Sequence, residues 1–296
     1  MSTARIVGIL RARDYSPNHI GNDAAIMNAV GDQLRKRGCE VRLYSEEQFG
    51  MLDEAGLSEI REMDCVLAMC RSPKCVDMLK RLEDEGMYVV NSGYGIENCR
   101  RERMSRILVG HSIPYPVNIT VDTDKSMLNI LRELNIDKCW IKQADYHSMH
   151  KEDVTFVRHA EEAQEVLHEY FLRGIRRAVI NAHVIGDLIR FYGVKNIGFF
   201  NSFLPMDSRH FSPDDPDTSD EPKEGLDKNK LKELCEQAAE ALDVEIYGGD
   251  CMLLPNGELM IIDVNDWPSF APCRKEASSS IARHVLRRIK QIKGGR

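Results

Sequence analysis

Short apolar runs alternate with helical patterns through the first third of the chain. Arg5–Leu10 (RIVGIL) reads as a buried strand. Residues 23–37 carry Ala25, Ile26, Ala29, Val30 and Leu34 at helical spacing, and Gly38 sits where a helix stop belongs. Residues 40–44, 65–69 and 87–91 predict further strands, with a helix over 73–85 between the last two. Strands alternating with helices imply a parallel sheet of the Rossmann type. A helix over 100–110 then runs into His111-Ser112-Ile113-Pro114-Tyr115-Pro116, where the prolines end the unit.

The middle third changes character. Helices over 126–134 and 160–172, with strands over 138–142, 154–157 and 177–184, make a small α+β unit. In the last third, strands are expected over 188–194 and 197–204, then a long polar loop and a helix over 228–242. Two more strands, 249–254 and 259–264, flank Pro255-Asn256-Gly257. Asn-Gly between apolar runs is a strong hairpin signal. Residues 277–290 close the chain as a helix, with Ile281, Val285 and Ile289 four apart, and no internal repeat is visible. The pattern predicts an α/β chain in three parts: 1–115, 116–185 and 186–296.

Composition narrows the partners. Across 296 residues, 40 Lys and Arg against 47 Asp and Glu leave a net charge of −7. That argues against nucleic acid or an anionic membrane as the general partner. Seven of the acids fall between Asp214 and Asp227, in the loop punctuated by Pro213, Pro216 and Pro222. That loop reads as a mobile surface excursion, and the rest of the chain is close to neutral. Nine cysteines, an odd number without a CxxC pair, read as reduced thiols of a cytoplasmic protein. The run ending at Leu10 is too short for a signal peptide, and nothing approaches the ~18 apolar residues of a membrane span.

Asp250, Asp263 and Asn265 are the strongest local signal. Residues two apart in a strand share a face, so Asp263 and Asn265 lie side by side, and the hairpin returns Asp250 alongside them. Three oxygen donors converging there suit Mg²⁺. A set of polar strand caps is the plainer alternative. Lys142 ends the apolar strand Cys139-Trp140-Ile141 and is placed to reach a phosphate as a point charge. The loop after it holds His147, His150 and Lys151 but no glycine, so its side chains rather than its backbone would meet phosphates. Asp187 and Arg190 follow another strand, and could meet ribose hydroxyls and a phosphate or carboxylate respectively. Arg11, Arg13 and His19 follow the first strand, where open parallel sheets bind ligands. A solvated loop or turn is the alternative at each of these places.

In this order, the pieces resemble the ATP-grasp superfamily over nearly the whole chain. Residues 1–115 are similar to its Rossmann-like pre-ATP-grasp domain, 116–185 to its central lid, and 186–296 to its C-terminal metal-binding subdomain. Asn91, the Arg101/Arg103 helix, Leu108 and Ser112-Ile113-Pro114-Tyr115-Pro116 resemble the entry into that fold, with an arginine where a lysine is usual. Trp140-Ile141-Lys142 resembles the phosphate-binding lysine strand. Asn181-Ala182-His183 resembles the hinge that holds adenine, largely by backbone groups, although Ala182 replaces the usual glutamate. Tyr247-Gly248-Gly249-Asp250 and Ile262-Asp263-Val264-Asn265 resemble the metal end.

The resemblance implies ATP with Mg²⁺, or Mn²⁺ as a substitute, and a small-molecule acceptor. Lys142, Arg101 or Arg103, residues 181–183 and Asp187 would bind the nucleotide. Arg190 and His147 would serve the transfer, and Arg11, Arg13, His19, His150 and Lys151 would meet the acceptor. The resemblance implies a carboxylate–amine ligase acting through an acyl phosphate. Two departures are similar instead to the superfamily's inositol polyphosphate kinases: an aspartate at 263, and His147 in place of a glycine-serine loop. A third reading is a nucleotide-binding protein without catalysis. The basic terminal helix (Arg283, Arg287, Arg288, Lys290) is either a homodimer face or a solvated one.

Overall fold

The computed structural model describes residues 3–15, 20–134, 136, 138–144, 153–205, 218–219 and 226–295. Three sheets follow one another along the chain. The first is built from β1 (Arg5–Leu10), α1 (Ile20–Arg35), β2 (Glu40–Ser45), α2 (Glu46–Gly50), α3 (Glu54–Arg61), β3 (Cys65–Ala68), α4 (Pro73–Asp84), β4 (Val89–Val90), α5 (Gly93–Asn98) and α6 (Arg101–Gly110). Its strands are parallel, in the order β2-β1-β3-β4. The expected strand at 87–91 shrinks to two residues. Helices α2 and α3 were not expected, because both are short and start on local caps. Ser45 and Gln48 form a capping box for α2, and Asp53 accepts from the Gly56 N–H at α3.

The second sheet contains β5 (Asn118–Asp122), α7 (Leu128–Glu133), β6 (Cys139–Gln143), β7 (Val154–Val157), α8 (Ala160–Leu172) and β8 (Arg177–Ala182). Its order is β5-β8-β6-β7, all antiparallel. Strand β5 escapes the sequence pattern because only Val121 of its five residues is buried. The outward face of β6 carries Trp140 and Lys142, while Cys139 and Ile141 enter the core.

The third sheet contains β9 (Asp187–Val194), β10 (Phe199–Pro205), β11 (Thr218–Ser219), α9 (Lys228–Ala241), β12 (Ile246–Leu253) and β13 (Leu259–Asp266), followed by α10 (Arg274–Gly294). The strand order is β11-β10-β9-β12-β13. Gly257 closes the hairpin at φ 83°, the left-handed conformation that glycine adopts without strain. Strand β12 starts at Ile246, so Asp250 lies in its middle rather than near its start. Apart from residues 218–219 and 226–228, the acidic loop lies outside the described residues.

Helix α10 returns to the first sheet. Its Ile281, Val285 and Ile289 share a core with Ile26, Val30 and Leu34 of α1. Two polar clamps join the first sheet to the third. Asn91 is fully buried; its Nδ2 donates to the Ile246 carbonyl at 2.6 Å and its Oδ1 accepts from the Glu245 and Ile246 N–H groups at 2.9 Å. Glu245 in turn accepts from Tyr88 Oη at 2.9 Å and pairs with the buried His284 of α10. All nine cysteines are free thiols. Among the described residues, no helix is long and apolar enough to cross a membrane.

Candidate active site

Antiparallel register builds the centre of the site. Asp250 on β12 lies directly opposite Asp263 on β13, and on its other side opposite Arg190 on β9. Three adjacent strands therefore place Arg190, Asp250 and Asp263 in one row across the sheet. Asn265 follows two residues along β13, on the same face as Asp263 and opposite Gly248. A β-bulge follows Asp250. Arg190 Nε stands 3.9 Å from Asp250 Oδ1, with both side chains largely buried. Burial pushes the Asp250 carboxyl up to about 6; Asp263 adds to this, while Arg190 and Lys142 oppose it.

Lys142 approaches this row from the second sheet. Burial lowers its pKa, Asp263 and Asp250 pull it back up, and Arg101 pushes it down. Two sheets thus bring a lysine and a carboxylate pair into one electrostatic unit, although over a hundred residues separate them in sequence. Arg101, in the first turn of α6, is 4% exposed and donates from Nη1 to the Gln143 carbonyl at 3.2 Å. Its neighbour Arg103 instead pairs with Glu97, which also holds Lys80. Of the two arginines, only Arg101 is brought to Lys142. Tyr115 joins the group: burial and Asp263 push its hydroxyl pKa up, while Asn181 and Arg101 oppose.

At the hinge end, Asn181 on β8 is buried and pairs across the sheet with Trp140 and Asn118. The Ala182 N–H donates to the Val117 carbonyl at 2.8 Å and the His183 N–H to the Lys138 carbonyl at 2.9 Å. Those two amide donors are therefore engaged within the protein. His183 Nδ1 accepts from Trp140 Nε1 at 3.2 Å, and Phe156 completes an aromatic group with ring centroids 5.0 Å from each. Asp187 begins β9 and is exposed at the rim.

The acceptor residues divide. Arg11 is built into the frame. It donates to Asp23 Oδ2 at 3.0 Å and to the carbonyls of Met69, Asp266 and Trp267 at 3.2 Å. Burial works against its charge, but Asp23 and Asp266 outweigh that and raise its pKa. Arg13 is exposed in a short 3₁₀ turn. His19, His147, His150 and Lys151 lie outside the described residues, and with His147 goes one of the two residues on which the kinase reading rests. Arg71 and Asp266, which the sequence reading passed over, sit beside Arg11. The available signal was positional: Arg71 follows β3 as Arg11 follows β1.

The donor set fits a hard divalent cation. It offers two carboxylates and an amide oxygen, and one carboxyl is held up by burial beside the other, a penalty that a cation would offset. Among the described residues no cluster of three or more His, Cys, Asp or Glu is arranged to hold a metal.

No protein-family model and no curated protein matches the sequence. Solved structures do match in three dimensions. D-alanine–D-alanine ligase from Bacillus anthracis, complexed with ATP, superposes with a TM-score of 0.72 at 16% identity, covering 98% of this chain and 99% of the other. D-alanyl-alanine synthetase A from Vibrio cholerae gives 0.73 at 12% identity, with the same coverage. The ligase PsnB, complexed with its precursor peptide PsnA2 and AMPPNP, gives 0.65 at 14% identity over 98% and 99% of the two chains.

Proposed function

We propose, from the ATP-grasp fold that this chain has, that it is a Mg-ATP-dependent ligase joining a carboxylate to an amine. One observation carries the reading: the Arg190–Asp250–Asp263 row of the third sheet faces Lys142 of the second. A cation facing a carboxylate pair across two sheets suits a nucleotide triphosphate held between them. The ligases with which the chain shares its fold support the same class of reaction.

In this reading Asp250, Asp263 and Asn265 hold Mg²⁺. When bound, it supplies charge neutralisation for the β- and γ-phosphates. Lys142, stripped of water, lays a compact positive charge against the phosphates. Arg101 adds a second cation from α6 and keeps Lys142 from settling on the carboxylates alone. Asn181, Trp140 and His183 line the nucleoside end. Arg190 stands beside Asp250, where negative charge develops as the γ-phosphoryl leaves ADP for the acceptor carboxylate oxygen. An amine nitrogen then attacks the acyl carbon, and inorganic phosphate departs with the C–O bond electrons. The protein's contribution is orientation and electrostatic stabilisation.

The test is ADP formation, screened over pairs of carboxylic acids and amines. A ligase releases ADP and phosphate in equal amounts and requires both partners. ADP formed alongside a phosphorylated hydroxyl product, without free phosphate, would overturn the proposal.

A further inference from the structure

Asn181 is a buried amide with its hydrogen bonds unmade. It is 3% exposed, and neither its Nδ2 nor its Oδ1 meets a partner. Buried polar groups are ordinarily paired, because leaving one unmade costs the desolvation of that group. An amide carries a donor and an acceptor side by side. A bound molecule offering an acceptor and a donor side by side would complete it.

The register says which part of a bound molecule that is. Cys139 and Ile141 of β6 enter the core, so Trp140 and Lys142 share the other face. Asn181 stands opposite Trp140 and next to the core residue Ile180, which puts it on the face of Trp140 and Lys142. Trp140 lies roughly 7 Å from Lys142 along the strand. Phosphates on Lys142 leave the base to lie toward Asn181, because Trp140, Phe156 and His183 form an aromatic group at that end on which a base stacks.

The side chains around the amide do not choose its orientation. Tyr115 lies beside it: burial and Asp263 raise the Tyr115 hydroxyl pKa, and Asn181 opposes them. A hydroxyl both donates and accepts, so it suits either orientation. His183 Nδ1 accepts from Trp140 Nε1, which leaves Nε2–H as a donor for a ring nitrogen that every purine carries. The purines differ at position 6. Adenine presents an amino donor beside a ring-nitrogen acceptor, and a 6-oxopurine presents a carbonyl acceptor beside a ring N–H donor. One orientation of the amide matches the first, and the reverse matches the second.

We propose that the nucleotide site takes 6-oxopurine nucleoside triphosphates, GTP among them, as well as ATP, with the Asn181 amide turning to suit the base. The assignment rests on the nucleotide reading above, while the choice of base is testable without turnover. Calorimetry with Mg²⁺ would compare AMPPNP, GMPPNP and ITP, with no acid or amine present. The three should bind within about fivefold of one another, where a pinned amide would separate them by roughly 10- to 100-fold. Asn181→Asp replaces the donor by a second acceptor and should shift the balance toward AMPPNP by about tenfold or more.

Asn181→Leu keeps the size and removes both groups. It should weaken all three ligands by about tenfold and leave the melting temperature without nucleotide level or higher, since it removes a buried unpaired amide. An amide that serves only the fold would lower the melting temperature and leave the affinities alone. If the Asp variant does not fold, the Leu variant carries the comparison. ITP binding without GMPPNP keeps the role of the amide and assigns the exclusion of the guanine 2-amino group to shape. Both 6-oxopurines binding more than about 100-fold below AMPPNP, or affinities that Asn181→Leu leaves unchanged, overturn the inference while the ATP reading stands. If none of the three binds, the nucleotide reading itself falls and the inference with it.

Discussion

Asp250 and Asp263 face each other across adjacent antiparallel strands, and burial holds the Asp250 carboxyl up near 6. Two carboxylates so placed repel unless a cation joins them. Asp263→Asn keeps the shape and removes one charge. ADP formation should fall by roughly 100-fold or more, the scale of losing one preorganised electrostatic group. A Mg²⁺ titration of the variant should need much higher concentrations to saturate. Wild-type turnover in Asp263→Asn would remove the metal assignment.

Lys142→Met should weaken nucleotide binding by about 10- to 100-fold, since a buried charge-assisted hydrogen bond contributes about 1.5–3 kcal/mol. Stability should rise or stay level, because burial already disfavours this charge. Titration with AMPPNP, and a melting curve without nucleotide, read the two effects separately.

Gly249, beside Asp250 on β12, is packed against β13 at Asp263. A Cβ at that position would overlap the Asp263 carbonyl oxygen. Gly249→Ala should therefore cost about 1–3 kcal/mol by overpacking and displace Asp250 relative to Asp263. Denaturant unfolding checks the first effect. ADP formation at saturating Mg²⁺ checks the second, and activity should fall further than the folded fraction does.

Asn91 replaces strand pairing between β4 and β12 with three side-chain hydrogen bonds. Asn91→Ala removes the acceptor of the Glu245 and Ile246 N–H groups, while the Ile246 carbonyl keeps the Trp267 N–H at 3.0 Å. The expected loss is about 2 kcal/mol or more, at about 1–3 kcal/mol for each of the two unsatisfied groups. Unfolding in urea would show a lower midpoint with an unchanged slope; a midpoint like that of the wild type would contradict it.

Glu83 makes stability depend on pH. Burial raises its carboxyl from 4.5 to about 7, Asp243 and Asp84 add to this, and hydrogen bonds from Ser92 and the Gly93 N–H oppose it. Between those two values the folded state holds a proton that the unfolded state has released. Stability therefore falls as pH rises from about 4.5 to about 7, then levels off. Glu83→Gln keeps an acceptor for the Gly93 N–H and removes the titration. Its melting temperature should gain on the wild type progressively from pH 5 to pH 8. A constant offset between the two proteins would refute the linkage.

The sequence by itself determined the local elements and the fold class. Apolar runs of β1 and β3, the helical spacing of α1 and α8, and Asn256-Gly257 act through neighbours in the chain, so their signal is complete in a short window. The same reasoning reached Asp263 and Asn265 as a same-face pair, because period two is a local property. It missed α2 and α3, whose caps outweigh their weak apolar pattern, and β5, which is mostly polar. Tertiary structure decided the rest. That Arg190 completes the row beside Asp250 depends on the order of strands in the sheet. That Arg101 rather than Arg103 meets Lys142 depends on how α6 rolls against the second sheet. That Arg11 is a strut depends on where Asp23 and Asp266 arrive. Charge is local in sequence, but its partners are chosen by packing between sheets.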